Sequence, residues 1–147
     1  STSYLASLCD LAGNGRIISI DIANLKGRPN HKRITYIHGS SVDLETVNKV
    51  KNMIKPNEKV MVILDSNHTR DHVFKELNLY NDLVTKGYYL IVEDSNINGH
   101  PVFPEFGPGP MEAIHDFLKT SSSFIIDKKQ EKFFITFNPD GYLLRVK

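Results

Sequence analysis

Apolar runs of strand length alternate with segments whose apolar residues recur at helical spacing along most of the chain. The strand-like runs lie at residues 16–22, 33–38, 60–64 and 88–92. The helix-like segments lie at residues 4–11, 41–56, 70–84 and 110–119, with Ser41 as the expected N-cap of the second. Because crossover helices join parallel strands, this alternation predicts an α/β fold with a mostly parallel sheet.

The C-terminal part of the chain follows a different pattern. Closely spaced strand-like runs occur at residues 124–126, 132–137 and 142–146, and an Asn-Pro-Asp-Gly turn occupies residues 138–141. Strands this close in sequence require antiparallel pairing. The pattern therefore predicts a mostly parallel sheet with an antiparallel C-terminal edge.

Acidic residues follow two neighbouring predicted strands. Asp65 ends the run at 60–64, and Glu93 and Asp94 end the run at 88–92. If the two strands are parallel, their carboxyl ends share the edge where open α/β sheets bind ligands. Converging carboxylates repel one another unless a proton or a hard cation lies between them. A divalent-metal site is therefore predicted, with Mg²⁺ favoured and calcium or manganese as alternatives.

The composition limits the classes of function. The chain has 147 residues, of which 40% are hydrophobic and 24% are charged, so residues 1–147 are expected to form one globular domain. The formal net charge is +1 and the charges are interspersed, which favours a small-molecule ligand over a nucleic acid. The single cysteine, Cys9, excludes an internal disulfide and indicates a reducing, cytoplasmic location. The sequence shows neither a membrane span nor a signal peptide.

Several strings of the sequence point to one family. They are IDI (20–22), HGSS (38–41), LDSNH (64–68), VEDSNINGHP (92–101), FGPGP (106–110) and KFFITFNP (132–139). Together they closely resemble the cephalosporin hydroxylase family, whose members, despite that name, resemble O-methyltransferases of cephamycin biosynthesis and rhamnosyl O-methyltransferases. The resemblance implies a Rossmann-like class I methyltransferase fold. The family pattern has a strand and a Gly-rich turn before the position of Ser1, so the first strand and further upstream sequence are expected to be missing.

The resemblance also implies S-adenosylmethionine as the cofactor. Asp21, at a predicted strand end, is expected to accept hydrogen bonds from the ribose hydroxyls, although a solvated turn residue is the alternative. Gly39, Ser40 and Ser41 match the segment that contacts adenine in related enzymes, and a helix cap at Ser41 is an equally good interpretation. Asp65 is expected to serve both the cofactor and the metal.

Histidine and phenylalanine residues complete the predicted site. His68 lies three residues after Asp65, where similar catechol-type methyltransferases place a catalytic lysine, so it is predicted to act as the general base. The alternative is that His68 has only a structural role. His100, Phe103 and Phe106, in the Gly/Pro-rich loop, are expected to line the substrate pocket.

Three functions therefore compete. The preferred one is a metal-assisted O-methyltransferase that uses S-adenosylmethionine to methylate a hydroxyl of a sugar or natural-product small molecule. Related enzymes often form oligomers, so a homo-oligomer is a candidate assembly. The second is a non-haem iron hydroxylase with His68, Asp71 and His72 as ligands. The third is a non-catalytic, nucleoside-binding module of methyltransferase-like fold.

Overall fold

Two compact units make up the chain in the computed structural model, which describes residues 1–24 and 26–147 except for the side chains of Phe133 and Phe134. The N-terminal unit is Ser1–Met53 and the C-terminal unit is Ile54–Lys147. Each unit contains one group of paired strands.

The N-terminal unit consists of α1 (Thr2–Leu11), β1 (Ile17–Asp21), β2 (Ile34–His38) and α2 (Leu44–Met53). The two strands are parallel and in register from Ile17 opposite Ile34 to Asp21 opposite His38. All five residues of β1 are half-buried, and among the described residues β1 pairs with β2 only.

Ser41 does not begin α2, so the predicted N-cap is wrong. The helix begins at Leu44. Residues 40–43 form a turn instead, in which the Asp43 N–H donates to the Ser40 carbonyl at 3.1 Å. The helix therefore starts two residues later than a cap at Ser41 predicts, and Ser41 lies in the segment that joins β2 to α2.

The C-terminal unit contains a four-stranded sheet. Its elements are β3 (Val62–Leu64), α3 (Arg70–Tyr80), β4 (Tyr89–Val92), α4 (Pro110–Thr120), β5 (Phe124–Ile126) and β6 (Tyr142–Arg145). The strand order is β3-β4-β6-β5, and β3 and β4 are parallel. β6 is antiparallel to both of its neighbours, so the predicted antiparallel C-terminal strand lies between β4 and the edge strand β5.

The predicted strand at residues 132–137 is wrong, since a 3₁₀ helix occupies Lys128–Phe134. The Asp127 carboxylate accepts the Lys129 N–H at 3.1 Å and thereby caps this helix. Lys128 and Glu131 form an ion pair at 3.0 Å, which suits a helix of three residues per turn. These local contacts prevail over the apolar pattern of the segment.

Helices α3 and α4 pack against each other and carry much of the core of this unit. The buried apolar residues that the two helices contribute are Val73, Leu77, Tyr80, Ala113, Ile114 and Phe117. Arg70, at the start of α3, pairs with Asp116 of α4 through an Nε to Oδ2 contact of 3.0 Å. This packing fixes the start of α3 and, with it, the short loop that leaves β3.

In the described part of the chain, no helix is both long and apolar enough to cross a bilayer.

Candidate active site

Three potential ligand side chains meet at the carboxyl ends of β3 and β4. Leu64 and Val92 are opposite each other in parallel register, so the residues that follow them leave the sheet together. His68 Nε2 lies 3.4 Å from Asp65 Oδ1 and 3.5 Å from Asp94 Oδ2. The ligand atoms of the three residues all lie within 4.8 Å of one another. The structure thus brings Asp65, His68 and Asp94 together.

The His68 ring fits a site that holds a cation or moves a proton. Its Nε2 atom is shielded from solvent and makes no hydrogen bond with the described residues, although two carboxylates face it. Buried polar atoms are normally satisfied, so one left without a partner often marks a functional position. An imidazole nitrogen and two carboxylates are suitable donors for a divalent cation.

Glu93 is not one of the three grouped residues, although it was predicted as a metal ligand. The charges of this site nevertheless act on the Glu93 carboxylate. Burial raises the pKa of Glu93, and the negative charges of Asp65 and Asp94 raise it further. A bound cation would relieve this repulsion, so the role of Glu93 as a ligand stays a prediction.

A buried carboxylate that the sequence analysis missed supports the loop between Asp65 and His68. The side chain of Glu76, in α3, is only 2% exposed, and its Oε1 atom accepts the Ser66 hydroxyl at 2.8 Å. His72 Nε2 lies 3.7 Å from the same oxygen. Burial, and then the charge of Glu76, raise the pKa of Tyr80 to about 12. Helical spacing places Glu76 beside the apolar face formed by Val73, Leu77 and Tyr80, but spacing alone does not show that a charged residue at that border is fully buried.

The ligand set proposed for an iron hydroxylase does not come together among the described residues. His68 faces Asp65 and Asp94, whereas His72 faces Glu76. The Asp71 side chain is 82% exposed and pairs with Arg70 at 2.7 Å. No group of three metal ligands containing Asp71 or His72 is present in the described part of the chain.

In the N-terminal unit, Asp21 lies at the carboxyl end of the parallel pair β1 and β2. Its Oδ1 atom accepts the Ala23 N–H at 2.8 Å, and its Oδ2 atom lies 3.0 Å from Arg28 Nη2. Arg28 also lies over the Tyr36 ring, 5.2 Å from its centroid. Asp21, Arg28 and Tyr36 line a surface depression together with Ser19, Pro29 and the first three residues of the chain. The depression offers one carboxylate beside an aromatic ring.

Gly39 lies beside Asp21, since its N–H donates to the Asp21 carbonyl at 3.1 Å. A Cβ atom on Gly39 would lie 2.4 Å from the hydroxyl of Thr46, which is buried. Packing of α2 therefore accounts for this glycine independently of any ligand. Ser40 and Ser41 follow in the turn, so the predicted cofactor residues of this unit do lie at one strand edge.

Residues 1–146 match the family described as Rhamnosyl O-methyltransferase/CmcI. The chain belongs to this family. The predicted family resemblance is therefore confirmed.

The curated relatives that this chain matches are longer than the chain itself. The rhamnosyl O-methyltransferases of Mycobacterium tuberculosis and Mycobacterium bovis are 36% identical to it over 154 residues, which cover 99% of this chain and 62% of the relatives. The Mycobacterium leprae enzyme is 36% identical over 137 residues, covering 88% of this chain and 59% of that enzyme. The chain thus spans about three fifths of the length of these relatives.

A solved structure of similar fold is the MycE methyltransferase of the mycinamycin biosynthetic pathway in complex with Mg and SAH. It superimposes with a TM-score of 0.58 at 24% identity, covering 80% of this chain and 30% of MycE. A second MycE structure, which also contains mycinamycin VI, gives the same values. This likeness confirms the predicted Rossmann-like methyltransferase fold.

The three predicted substrate residues of the Gly/Pro-rich loop differ from one another in their surroundings. His100 Nε2 lies 2.8 Å from Glu112 Oε1, at the start of α4, and so ties the loop to the helix. Phe103 and Phe106 are 70% and 46% exposed. Exposed aromatic rings are available to a ligand, but a substrate contact by any of the three residues stays a prediction.

Glu112 makes the stability of the fold depend on pH. Burial acts to raise the pKa of Glu112, but hydrogen bonds from His100, the Gly109 N–H and Asn98 lower it to about 2. Its ordinary value is 4.5, so the ionised form stabilises the fold fully above pH 4.5 and this contribution is lost as the pH falls towards 2. Glu112→Gln is expected to lower the free energy of unfolding by about 1 to 3 kcal/mol at neutral pH.

Urea unfolding of wild type and Glu112→Gln between pH 7 and pH 2 would check this expectation. The difference between the two proteins should be largest above pH 4.5 and should shrink towards pH 2. Glu105→Gln changes an exposed carboxylate of the same loop and serves as the control. A difference that stays constant with pH would contradict the assigned role of the Glu112 charge.

Proposed function

We propose that the protein transfers the methyl group of S-adenosylmethionine to a hydroxyl of a sugar or natural-product small molecule, with the help of a bound divalent cation. The observation that carries this proposal is the shielded His68 Nε2 atom, which faces Asp65 and Asp94 at adjacent strand ends. Family membership supports the reaction class. The Mg and SAH in the MycE complexes support the choice of cation and cofactor.

Asp65, Glu93 and Asp94 are the proposed metal ligands, and Mg²⁺ is the proposed ion. Oxygen donors suit this hard cation, and the mutual repulsion that raises the pKa of Glu93 is what a positive charge would relieve. When bound, the cation lowers the pKa of the acceptor hydroxyl and helps to orient it.

His68 is the proposed general base. Its Nε2 atom would take the proton of the acceptor hydroxyl, and the carboxylates of Asp65 and Asp94, 3.4 and 3.5 Å away, would stabilise the imidazolium that results. Methyl transfer is a displacement in line, so the remaining work of the protein is to align donor and acceptor and to exclude water.

Asp21 is the proposed ribose ligand, and Gly39, Ser40 and Ser41 form the proposed adenine segment. Arg28 and the Ala23 N–H already occupy part of the Asp21 carboxylate. A carboxylate has about four acceptor positions, so Asp21 can still accept hydrogen bonds from two hydroxyls. S-adenosylmethionine supplies the methyl group, whereas Asp21 would only hold and orient the nucleoside.

Calorimetric titration with S-adenosylmethionine tests the cofactor part of the proposal. Asp21→Ala is expected to weaken binding by about 10- to 100-fold, because a hydrogen bond to a charged acceptor contributes about 1.5 to 3 kcal/mol. Asp10→Ala is a matched control, since Asp10 is an acidic residue of the same unit that pairs with Arg33, Lys32 and His31. Equal affinities of wild type and Asp21→Ala would contradict the assignment.

The non-catalytic alternative predicts binding without turnover. A protein that binds S-adenosylmethionine and Mg²⁺ yet methylates no member of a panel of hydroxylated sugars, phenols and antibiotic nuclei would favour it. Cytoplasmic location and self-association stay predictions that solution experiments would have to test.

A further inference from the structure

The turn at residues 138–141 does more than reverse the chain, because it is bound to the loop that leaves β4. The Asp94 N–H donates to Asn138 Oδ1 at 2.9 Å. The hydroxyl of the next residue, Ser95, is fully buried and donates to the Pro139 carbonyl at 2.5 Å. Two consecutive loop residues are thus tied to two consecutive turn residues.

Backbone hydrogen bonds extend this attachment on both sides. The Val92 N–H donates to the Gly141 carbonyl at 2.9 Å, and the Asn96 N–H donates to the Phe137 carbonyl at 3.1 Å. A Cβ atom at position 141 would lie only 2.3 Å from the Val92 carbonyl oxygen. A glycine is therefore required for the turn to approach the end of β4 this closely.

Asp94 needs such support because of its own backbone. Its φ of 53° lies in the left-handed region, which costs free energy for a residue with a Cβ atom and persists when neighbouring contacts enforce it. In this conformation the Asp94 carboxylate faces His68 Nε2 at 3.5 Å. The hydrogen bond to Asn138 is a contact from outside the loop that holds the Asp94 peptide in this orientation.

We propose that Asn138 is a positioning residue for the metal site, holding Asp94 so that its carboxylate points at Asp65 and His68. The inference rests on the proposed function, in which Asp94 is a metal ligand. Residues that orient metal ligands typically account for 10- to 100-fold in metal affinity, as an order of magnitude. The Asn-Pro-Asp-Gly motif thereby acquires a role that a turn alone does not explain.

Two measurements on the purified protein test this role. The first is amide hydrogen exchange at Asp94 in the metal-free protein, and the second is the affinity for magnesium chloride by calorimetry. Asn138→Ala is expected to speed exchange at Asp94 by at least about 10-fold and to weaken Mg²⁺ binding by about 10- to 100-fold. The melting temperature should change little, because the Gly141 N–H donates to the Asn138 main-chain carbonyl and the turn is kept.

Two further variants give the controls. Asn138→Asp keeps an acceptor oxygen at the same place and is expected to keep exchange at Asp94 close to that of wild type. Asn78→Ala removes an exposed asparagine whose side chain donates to the Phe74 carbonyl at 2.7 Å, and it should change neither measurement. If Asn138→Ala does not fold, fast exchange at Asp94 in Asn138→Asp overturns the proposal.

The outcomes separate this inference from the proposed function. If Asp65→Asn abolishes Mg²⁺ binding while Asn138→Ala changes neither exchange nor affinity, the positioning role is wrong and the metal site stands. If Asp65→Asn leaves Mg²⁺ binding intact, the proposed metal site is wrong. The positioning role for a metal then falls with it, and exchange at Asp94 shows only whether Asn138 holds that loop.

Discussion

Replacing Asp65 with Asn is expected to lower kcat/KM for methyl transfer by at least about 100-fold and to abolish detectable Mg²⁺ binding. Asp65 is one of the two carboxylates that face His68, and it is the first residue after β3, close to Asp94. The amide keeps the size of the side chain but removes the negative charge that a divalent cation needs. The measurements are a methyl-transfer assay with a panel of hydroxylated acceptors and calorimetric titration with magnesium chloride.

Asp82→Asn is the matched control for this experiment. Asp82 is an exposed acidic residue of the same unit and lies in the short 3₁₀ helix Asn81–Leu83 that follows α3. Its replacement should leave both activity and Mg²⁺ affinity unchanged. Full activity and full metal affinity in Asp65→Asn would refute the metal site at the ends of β3 and β4.

His68→Gln is expected to lower kcat by about 10²- to 10⁴-fold, which is the usual contribution of a general base. Glutamine can still form hydrogen bonds near Asp65 and Asp94 but cannot take up a proton. Since His68 acts on the acceptor in this proposal, KM for S-adenosylmethionine and the Mg²⁺ affinity should stay within a few-fold of wild type. Steady-state kinetics and calorimetry on the same preparation give all three quantities.

The same variant distinguishes a general base from a metal ligand. The distinction matters because the His68 ring lies close enough to both carboxylates to bind the same cation. A large loss of Mg²⁺ affinity together with kcat would make His68 a metal ligand instead. His31→Gln, which changes a histidine paired with Asp10 in the N-terminal unit, is the control and should be neutral. An unchanged kcat in His68→Gln would remove the residue from the chemistry.

Hydrophobic periodicity predicted most of the regular structure, since burial on one face is written into the residues themselves. The strands that end at Asp21, His38 and Leu64 were all located to within about two residues. The segment at 132–137 shows the limit of such patterns. Its apolar residues predict a strand, but the Asp127 cap and the pairing of Lys128 with Glu131 stabilise a 3₁₀ helix.

For the candidate site, the sequence by itself determined that acids follow the strands β3 and β4, because parallel strands deliver their carboxyl ends to one edge. Only the tertiary structure decided that His68 joins Asp65 and Asp94 in one group, and that Asn138 is bound to Asp94. Local periodicity specifies which residues form a strand. It carries no information about side-chain rotamers, or about contacts between residues 44 positions apart, which packing alone selects.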